Sequence, residues 1–312
     1  MTPDSKDFTI NLSIRSDIFK NDVSEYEAIL ESGSGNFFSH LFIENDGIFQ
    51  KLKLKNQLKL ISVCSMLKNN LRSSEYPEVS QINHLGNSIS PYICPNNPKL
   101  DGLIEKEFES FIKSPYIAGI QMNELEMPFL PASLGCFCQH CFVHAEEYGI
   151  KLDKISQDLR HLDLNRLNEN WFLKNYPEWI KFKTNTITQF AGRMMILIRK
   201  LNPNITLGLN VNFYEKPELY SYNYFFLALY LDNLNFIINH SSNLVEKRVL
   251  NNIKAVTKKF LGEIQVFIQM KVPDKFNLQK VRAAIETIKK HKFNSVIFHV
   301  RNLQDFKNIN TI

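Results

Sequence analysis

Residues 117–129 of this chain read IAGIQMNELEMPF, a short apolar run that ends in polar and acidic residues. A run with such a boundary is typical of a buried β-strand. Runs of the same kind recur along the whole chain, at residues 8–14, 38–43, 58–64, 205–211, 234–238, 264–270 and 295–300. The sequence therefore predicts eight strands, of which 117–122 is the fourth.

Amphipathic helices are predicted between several of these strands. In one of them Asn277 is the expected N-cap, and Val281, Ile285 and Ile288 follow at helical spacing. A second helix is predicted over 186–201. Alternation of strands with helices favours an α/β fold with a parallel sheet, and eight such units point to a (β/α)8 TIM barrel.

The organisation of the chain directs attention to two loops. The 312 residues are predicted to form one domain, 1–312, with long excursions after strands 3 and 4. In a parallel barrel, a segment that follows a strand emerges at the C-terminal face, where barrel enzymes carry their chemistry. We therefore expect the functional residues near the ends of these two strands.

Composition and charge argue against several classes of protein. Hydrophobic residues make up 44% and charged residues 22% of the chain, which is ordinary for a globular protein. The net charge of +5, from 37 Lys and Arg against 32 Asp and Glu, is too mild to predict a nucleic-acid partner. No apolar stretch is long enough for a transmembrane helix, and the N-terminus lacks a secretory signal. We expect a cytoplasmic protein without a membrane partner; whether it forms a homo-oligomer is left open.

Five cysteines stand at positions 64, 94, 136, 138 and 141, and the last three form a C-x-C-x-x-C cluster. An odd count without a secretory signal favours metal ligands or free thiols over disulfides. Three thiols this close can converge on one metal, and a fourth completes a tetrahedral zinc site. The predicted ligands of a structural Zn2+, which would tie a loop subregion at about 90–145, are Cys94, Cys136, Cys138 and Cys141.

Two other interpretations of the cluster stay open. Either the thiols are free, or three cysteines share the metal with His140 or His144. An iron–sulfur cluster is less favoured, because its usual cysteine spacings differ from C-x-C-x-x-C. Cys64, at the end of the third predicted strand, is expected to be a core or pocket thiol.

An Asn-Glu pair, Asn123 and Glu124, follows the fourth predicted strand directly. Glu124 is therefore expected at the C-terminal mouth of the barrel. A carboxyl group that is partly desolvated there can have a raised pKa and act as a general acid. An ordinary loop glutamate is the alternative, and the cysteine cluster that begins twelve residues further on favours the functional interpretation.

These features together resemble one group of enzymes. Asn123-Glu124, the C-x-C-x-x-C cluster and the segment CPNNP at 94–98 are similar to zinc-containing glycoside hydrolases of the β-galactosidase type and to related barrel proteins. The resemblance covers residues 94–141 and, elsewhere, the order of the strands. It implies a (β/α)8 barrel, a zinc site of four cysteines, Glu124 as acid/base and Asn123 as a partner of a sugar hydroxyl.

The chain departs from this pattern at the seventh strand, and so resembles a diverged member of the group. A retaining glycosidase of this type has a nucleophilic Glu there, about 5 Å from the acid. Here Gln269 and Lys271 occupy the end of the strand. The candidates for a second carboxylate are Glu126, two residues after Glu124, and Asp274, in the following loop.

Further polar residues follow the predicted strands and form a ring suited to a polyhydroxylated ligand. The candidates for substrate binding are Asn123, Asn210, Asn212, His240, Gln269, Lys271, His299 and Arg301. The leading prediction is a glycoside hydrolase-like protein that acts on or binds a carbohydrate. The alternatives are an inactive barrel that binds carbohydrate or a protein partner, and an aldolase-like enzyme in which Lys271 forms a Schiff base.

Overall fold

A closed ring of parallel strands forms the centre of the protein. The computed structural model describes residues 9–14, 38–44, 59–115, 117–129, 134–238, 247–258, 265–271, 277–293, 295–300 and 305. Around the ring the order is β1 (Thr9–Ile14), β10 (Ser295–Val300), β9 (Gln265–Lys271), β8 (Asn233–Ile238), β7 (Thr206–Asn212), β6 (Ile117–Asn123), β3 (Lys59–Ser65) and β2 (Phe38–Glu44). Each is paired in parallel with both neighbours. All eight predicted strands are present, and their boundaries agree within one residue.

Helices and a small hairpin occupy the connections that the structure describes. The helices are α1 (Asn70–Glu75), α2 (Lys99–Glu109), α3 (Gln139–Glu146), α4 (Leu152–Arg160), α5 (Glu169–Asn175), α6 (Pro177–Leu201), α7 (Tyr224–Leu227), α8 (Lys247–Thr257) and α9 (Leu278–Lys290). An antiparallel hairpin of β4 (Ser80–Ile82) and β5 (Ser88–Ile93) lies between β3 and α2. The predicted N-cap of α9 is confirmed, because the side chain of Asn277 accepts a hydrogen bond from the backbone N–H of Lys280.

Helix α6 is longer than the sequence pattern predicted. It begins at Pro177, whereas the prediction covered 186–201. Proline is well suited to the first turn of a helix, where its missing N–H leaves no hydrogen bond unmade. The first half of α6 buries Trp179 and Phe182 in an apolar cluster away from the ring, and the polar residues Lys183 and Thr184, also buried, interrupt its apolar pattern.

The α/β class with a parallel, barrel-like sheet is confirmed. The complete (β/α)8 repeat stays a prediction, because the connections at 15–37 and 45–58 lie outside the described residues. Among the described helices, none has the length and apolarity that crossing a membrane requires.

The interior of the ring is partly apolar and partly polar. Phe42 on β2 and Phe267 on β9 meet edge to face, with ring centroids 6.2 Å apart, although two strands separate them around the ring. Nearby, the amide nitrogen of Asn235 donates to Asn210 Oδ1 at 2.8 Å and to Gln269 Oε1 at 2.5 Å. These amides satisfy part of one another's hydrogen bonding inside the barrel, where burial would otherwise be costly.

Gly208 on β7 makes room for this polar layer, and replacing it with alanine should destabilise the protein. The alanine Cβ would lie 2.0 Å from Asn233 Oδ1 and 2.2 Å from Gln121 Oε1, far inside normal contact. We expect a loss of about 1–3 kcal/mol in the free energy of unfolding, measured by urea denaturation. The control is Gly102→Ala on exposed α2, where a Cβ meets nothing and a gain of up to about 1 kcal/mol is expected. Equal stability of G208A and wild type would contradict this packing.

Candidate functional site

Four cysteine thiols from two separate loops meet at one point. Cys94 follows β5, Cys136 and Cys138 precede α3, and Cys141 lies in the first turn of that helix. Their sulfur atoms all lie within 4.8 Å of one another. Cys94 Sγ lies 3.4 Å from Cys138 Sγ and 3.6 Å from Cys141 Sγ. The cluster thus joins the segment after β3 to the segment after β6.

The geometry and surroundings of the cluster fit a metal. Four thiolates around a zinc ion, each about 2.3 Å from it, have sulfur–sulfur distances of about 3.8 Å. The amide of Asn96 donates to Cys141 Sγ at 3.3 Å, the kind of outer contact that orients a thiolate ligand. A site with four sulfur ligands leaves no open position, so the arrangement is structural in character.

The histidine alternative is not favoured by the contacts of His144. Its two ring nitrogens lie 3.1 Å from Glu147 Oε2 and 3.0 Å from Gln189 Oε1, away from the thiols. His140 is exposed, and the metal-binding group found among the described residues consists of the four cysteines alone. Cys64 lies apart from them, buried on β3 with its sulfur 3.3 Å from Ser62 Oγ.

An apolar cluster with a buried lysine packs beside the four cysteines. Phe137 stacks on Trp179, with ring centroids 6.0 Å apart. Lys183, only 1% exposed, places its Nζ 4.4 Å from the Trp179 ring centroid and donates to the carbonyl oxygen of Leu219 at 2.9 Å. Burial lowers the pKa of Lys183 to about 7, while the face of Trp179 favours the charged ammonium. Lys183 therefore links α6 to the segment that follows β7.

Glu124 lies directly after β6 and is held in an unusual backbone conformation. Its φ of 52° is in the left-handed region, which non-glycine residues adopt at a cost in free energy. Ser65 Oγ donates to Glu124 Oε2 at 3.0 Å, and Lys68 Nζ lies 3.3 Å from Oε1. Burial opposes the charge of Lys68, but the attraction of Glu124 outweighs it, so the pKa of Lys68 is raised.

The turn that carries Ser65 and Lys68 is itself anchored. The guanidinium of Arg72 donates to the carbonyl oxygens of Ser65, at 3.2 Å, and Met66, at 2.9 Å. Its Nε donates to Glu107 Oε2 at 3.0 Å, which pairs the buried charge. Arg72 thus fixes the loop from which two side chains reach Glu124.

Glu126, the predicted second carboxylate, has a different environment. The hydroxyl groups of Tyr222 and Tyr214 both donate to Glu126 Oε2, at 3.2 Å and 3.3 Å. Burial raises the pKa of Glu126, although the two tyrosine hydroxyls oppose the rise. Burial, and then the charge of Glu126, raise the pKa values of both tyrosines, which therefore act as neutral donors.

The structure brings some predicted ligand-binding residues to the rim and places others inside the barrel. Asn123 and Asn212 are partly buried at the ends of β6 and β7, and Asn212 Nδ2 donates to the Tyr214 hydroxyl at 3.4 Å. His299 Nδ1 lies 3.4 Å from Ser13 Oγ. Asn210 and Gln269 are buried in the polar layer of the ring.

Four of the predicted site residues lack a described side chain. His240, Asp274 and Arg301 lie outside the described residues, and for Lys271 only the backbone of β9 is described. The catalytic and binding roles assigned to all the candidate residues stay predictions.

Sequence reasoning missed four residues that contact the two carboxyl groups: Ser65, Lys68, Tyr214 and Tyr222. Ser65 is the last residue of β3 and Lys68 follows it closely, so their position at the end of a predicted strand could have indicated that both belong to the site. The tyrosines lie in the segment after β7, where the pattern Tyr214, Tyr220, Tyr222 and Tyr224 offers aromatic residues but no indication of which one reaches Glu126.

Comparison with known proteins shows the fold. No protein-family model and no curated protein sequence matches the chain. Among solved structures, the glycoside hydrolase domain of PgaB (BpsB) from Bordetella bronchiseptica is similar with a TM-score of 0.67 and 10% identity, over 96% of this chain and 95% of that one. The β-galactosidase from Rahnella sp. R3 has a TM-score of 0.66 and 12% identity, over 96% of this chain and 51% of that one.

A third structure, the β-galactosidase from Bacillus circulans sp. alkalophilus, is similar with a TM-score of 0.61 and 13% identity, over 94% of this chain and 50% of that one. The chain therefore spans about half the length of these β-galactosidases, and nearly the whole PgaB domain. At these identities the likeness is one of fold.

Replacing Lys183 with methionine should change how stability depends on pH. Because burial lowers the pKa of Lys183 from 10.5 to about 7, the unfolded chain binds more protons than the folded protein between these values. The contribution of Lys183 to stability therefore rises with pH in this window, by at most about 1.4 kcal/mol per unit. Urea denaturation at several pH values should show the stability of K183M relative to wild type falling as pH rises. The exposed Lys181→Met on the same helix is the control, and a pH-independent difference for K183M would contradict the account.

Proposed function

We propose that the protein is a glycoside hydrolase-like (β/α)8 barrel that acts on or binds a carbohydrate. One observation carries the proposal: two carboxyl groups, Glu124 and Glu126, are gathered after β6 at the C-terminal rim of a closed parallel ring. Glycoside hydrolysis needs a proton donor for the leaving oxygen and a carboxylate near the developing positive charge. The similarity in fold to glycoside hydrolases supports this choice among the activities that barrels carry.

In this proposal Glu124 is the candidate acid/base, and Glu126 or Asp274 is the second carboxylate. The rim would bind the hydroxyl groups of the sugar through the polar residues Asn123, Asn210, Asn212, His240, Gln269, Lys271, His299 and Arg301. Amide, imidazole and cationic side chains offer both donors and acceptors to such hydroxyls. The single domain 1–312 and the cytoplasmic location belong to the same proposal.

The four cysteines are proposed to hold a structural Zn2+. The buried sulfur atoms and the Asn96 contact support this choice, and a closed set of four thiolates favours zinc. When bound, the ion would supply no chemistry to a substrate and would fix the segment after β3 to the segment after β6. Cys94 would hold the first of these segments, and Cys136, Cys138 and Cys141 the second.

An inactive barrel that binds carbohydrate or a protein partner is the second candidate. It is favoured by β9, whose residues Gln265–Lys271 contain no carboxylate where the related retaining enzymes are expected to carry a nucleophile. The two candidates share the same rim and the same fold. They differ in whether bound sugar is cleaved.

Metal analysis of the purified protein tests the zinc proposal. We expect about one zinc ion per chain for wild type, and a loss of most of it for Cys136→Ser and Cys94→Ser, because three thiolates bind zinc far more weakly than four. Cys64→Ser is the matched control and should keep the metal, since its sulfur lies apart from the cluster. A wild-type protein without zinc, after expression with zinc and purification without chelator, would contradict the proposal.

Turnover of glycosides tests the activity. A panel of nitrophenyl and methyl glycosides of different sugars is assayed with wild type, Glu124→Gln and Glu109→Gln, the last being exposed on α2. We expect hydrolysis of at least one sugar by wild type and E109Q, and in E124Q a loss of about 100-fold or more on the methyl glycosides, whose poor leaving group needs a proton. Equal activity of E124Q and wild type would refute the role of Glu124. Binding of a sugar without cleavage would support the inactive barrel.

A further inference from the structure

The two rim glutamates differ in which charge state their contacts stabilise. Glu124 has a cationic amine 3.3 Å from Oε1 and a hydroxyl donor 3.0 Å from Oε2, so both of its oxygens interact with donors. A carboxyl group placed in this way is stabilised as an anion. Glu124 is also about a third exposed, at 31% of its side chain, so its charge is partly solvated.

Among the described residues, no cation forms an ion pair with Glu126. Both tyrosine hydroxyls reach the same oxygen, Oε2. Among the described residues, no hydrogen bond goes to Glu126 Oε1. That oxygen can therefore carry a proton without displacing either tyrosine.

The other titratable groups that act on Glu126, among the described residues, do not make up for the ion pair that it lacks. Glu124, two residues earlier in the same segment, acts on Glu126 with a negative charge. Lys68, from the segment after β3, acts on Glu126 with a positive charge but forms its ion pair with Glu124. Tyrosines from β5 and from the segment after β7 also lie around it in the described part of the chain: Tyr92, Tyr214, Tyr220, Tyr222 and Tyr224. Tyrosines are neutral at physiological pH, so they donate hydrogen bonds but supply no positive charge.

We propose that Glu126 holds the proton that the site donates to a glycosidic oxygen, and that Glu124 stays a carboxylate throughout. This inference rests on the proposed function and reverses the role expected for Glu124. Burial supports it, because it raises the pKa of Glu126. Two neighbouring carboxyl groups whose contacts favour different charge states divide the acid and anion roles in this way.

The step balances with water as the only co-reactant. As the bond between the anomeric carbon and the leaving oxygen breaks, its electron pair goes to that oxygen, which takes the proton from Glu126. Water then bonds to the anomeric carbon and gives up one proton to Glu126, which restores the acid. Glu124 remains anionic beside the positive charge that develops on the sugar, and this attraction lowers the barrier.

Tyr214, Tyr222 and Lys68 become positioning residues in this scheme. The tyrosine hydroxyls stabilise the Glu126 carboxylate once its proton has left, because both already point their hydrogen bonds at Oε2. Lys68 and Ser65 keep Glu124 charged while the neighbouring carboxyl group is neutral. Removing the tyrosine hydroxyls should therefore raise the pKa of Glu126 further.

A carbon-13 NMR titration of glutamate side-chain carboxyl groups tests without turnover whether Glu126 holds a proton. Its signal is assigned with Glu126→Gln. As the solution is acidified, we expect Glu126 to take up its proton above the ordinary pH range of a glutamate side chain. The double variant Y214F/Y222F should move this midpoint further upward. A Glu126 midpoint within or below the ordinary range would overturn the proposal.

Kinetics then separate this inference from the proposed function. With wild type active, E126Q should lose about 100-fold or more on alkyl glycosides, whose poor leaving groups need a proton, and much less on nitrophenyl glycosides. The same difference between substrates in E124Q instead would overturn the assignment. If wild type cleaves no glycoside, the proposed activity fails, while the NMR titration still decides whether Glu126 holds a proton.

Discussion

Parallel pairing around a closed ring makes every strand end at the same rim, and the site depends on that constraint. Ser65, Asn123 and Asn212 end three successive strands of the ring, β3, β6 and β7, so side chains far apart in sequence become neighbours. Glu124 then receives contacts from the segment after β3, and Glu126 from the segment after β7. Neither carboxyl group would have these partners if the neighbouring strands β3, β6 and β7 were antiparallel, because adjacent strands would then end at opposite edges of the sheet.

The loops above the rim are connected by a continuous set of contacts. The four cysteines fasten the segment after β3 to the segment after β6, and Phe137, beside Cys136, stacks on Trp179. Lys183, one turn further along α6, reaches the carbonyl oxygen of Leu219. Tyr220 follows Leu219 and stacks on Tyr214 with ring centroids 3.7 Å apart, and Tyr214 in turn donates to Glu126. A structural metal would therefore stabilise the same framework that positions the tyrosines.

Local pattern predicted the strands well, because apolar runs bounded by polar residues depend on nearby sequence alone. It also predicted the cysteine cluster, since C-x-C-x-x-C is local and Cys94 was the natural fourth ligand. The partners of the carboxyl groups were not predictable in the same way. Lys68 and Tyr222 reach Glu124 and Glu126 from positions 56 and 96 residues away in the chain, and the pairing of β6 with β3 and β7 brings them together. The first half of α6 was missed because it packs on the cysteine region and not on the strands.

The central claim is that the carboxyl pair after β6 receives a glycosidic bond, and a structure with sugar bound tests it most directly. Crystals of Glu126→Gln soaked with an oligosaccharide that the wild type cleaves or binds would show where the sugar lies. The account predicts a glycosidic oxygen within hydrogen-bonding distance of residue 126 and the sugar ring beside the Glu124 carboxylate. Sugar bound away from this rim, with both glutamates in contact only with their protein partners, would contradict it.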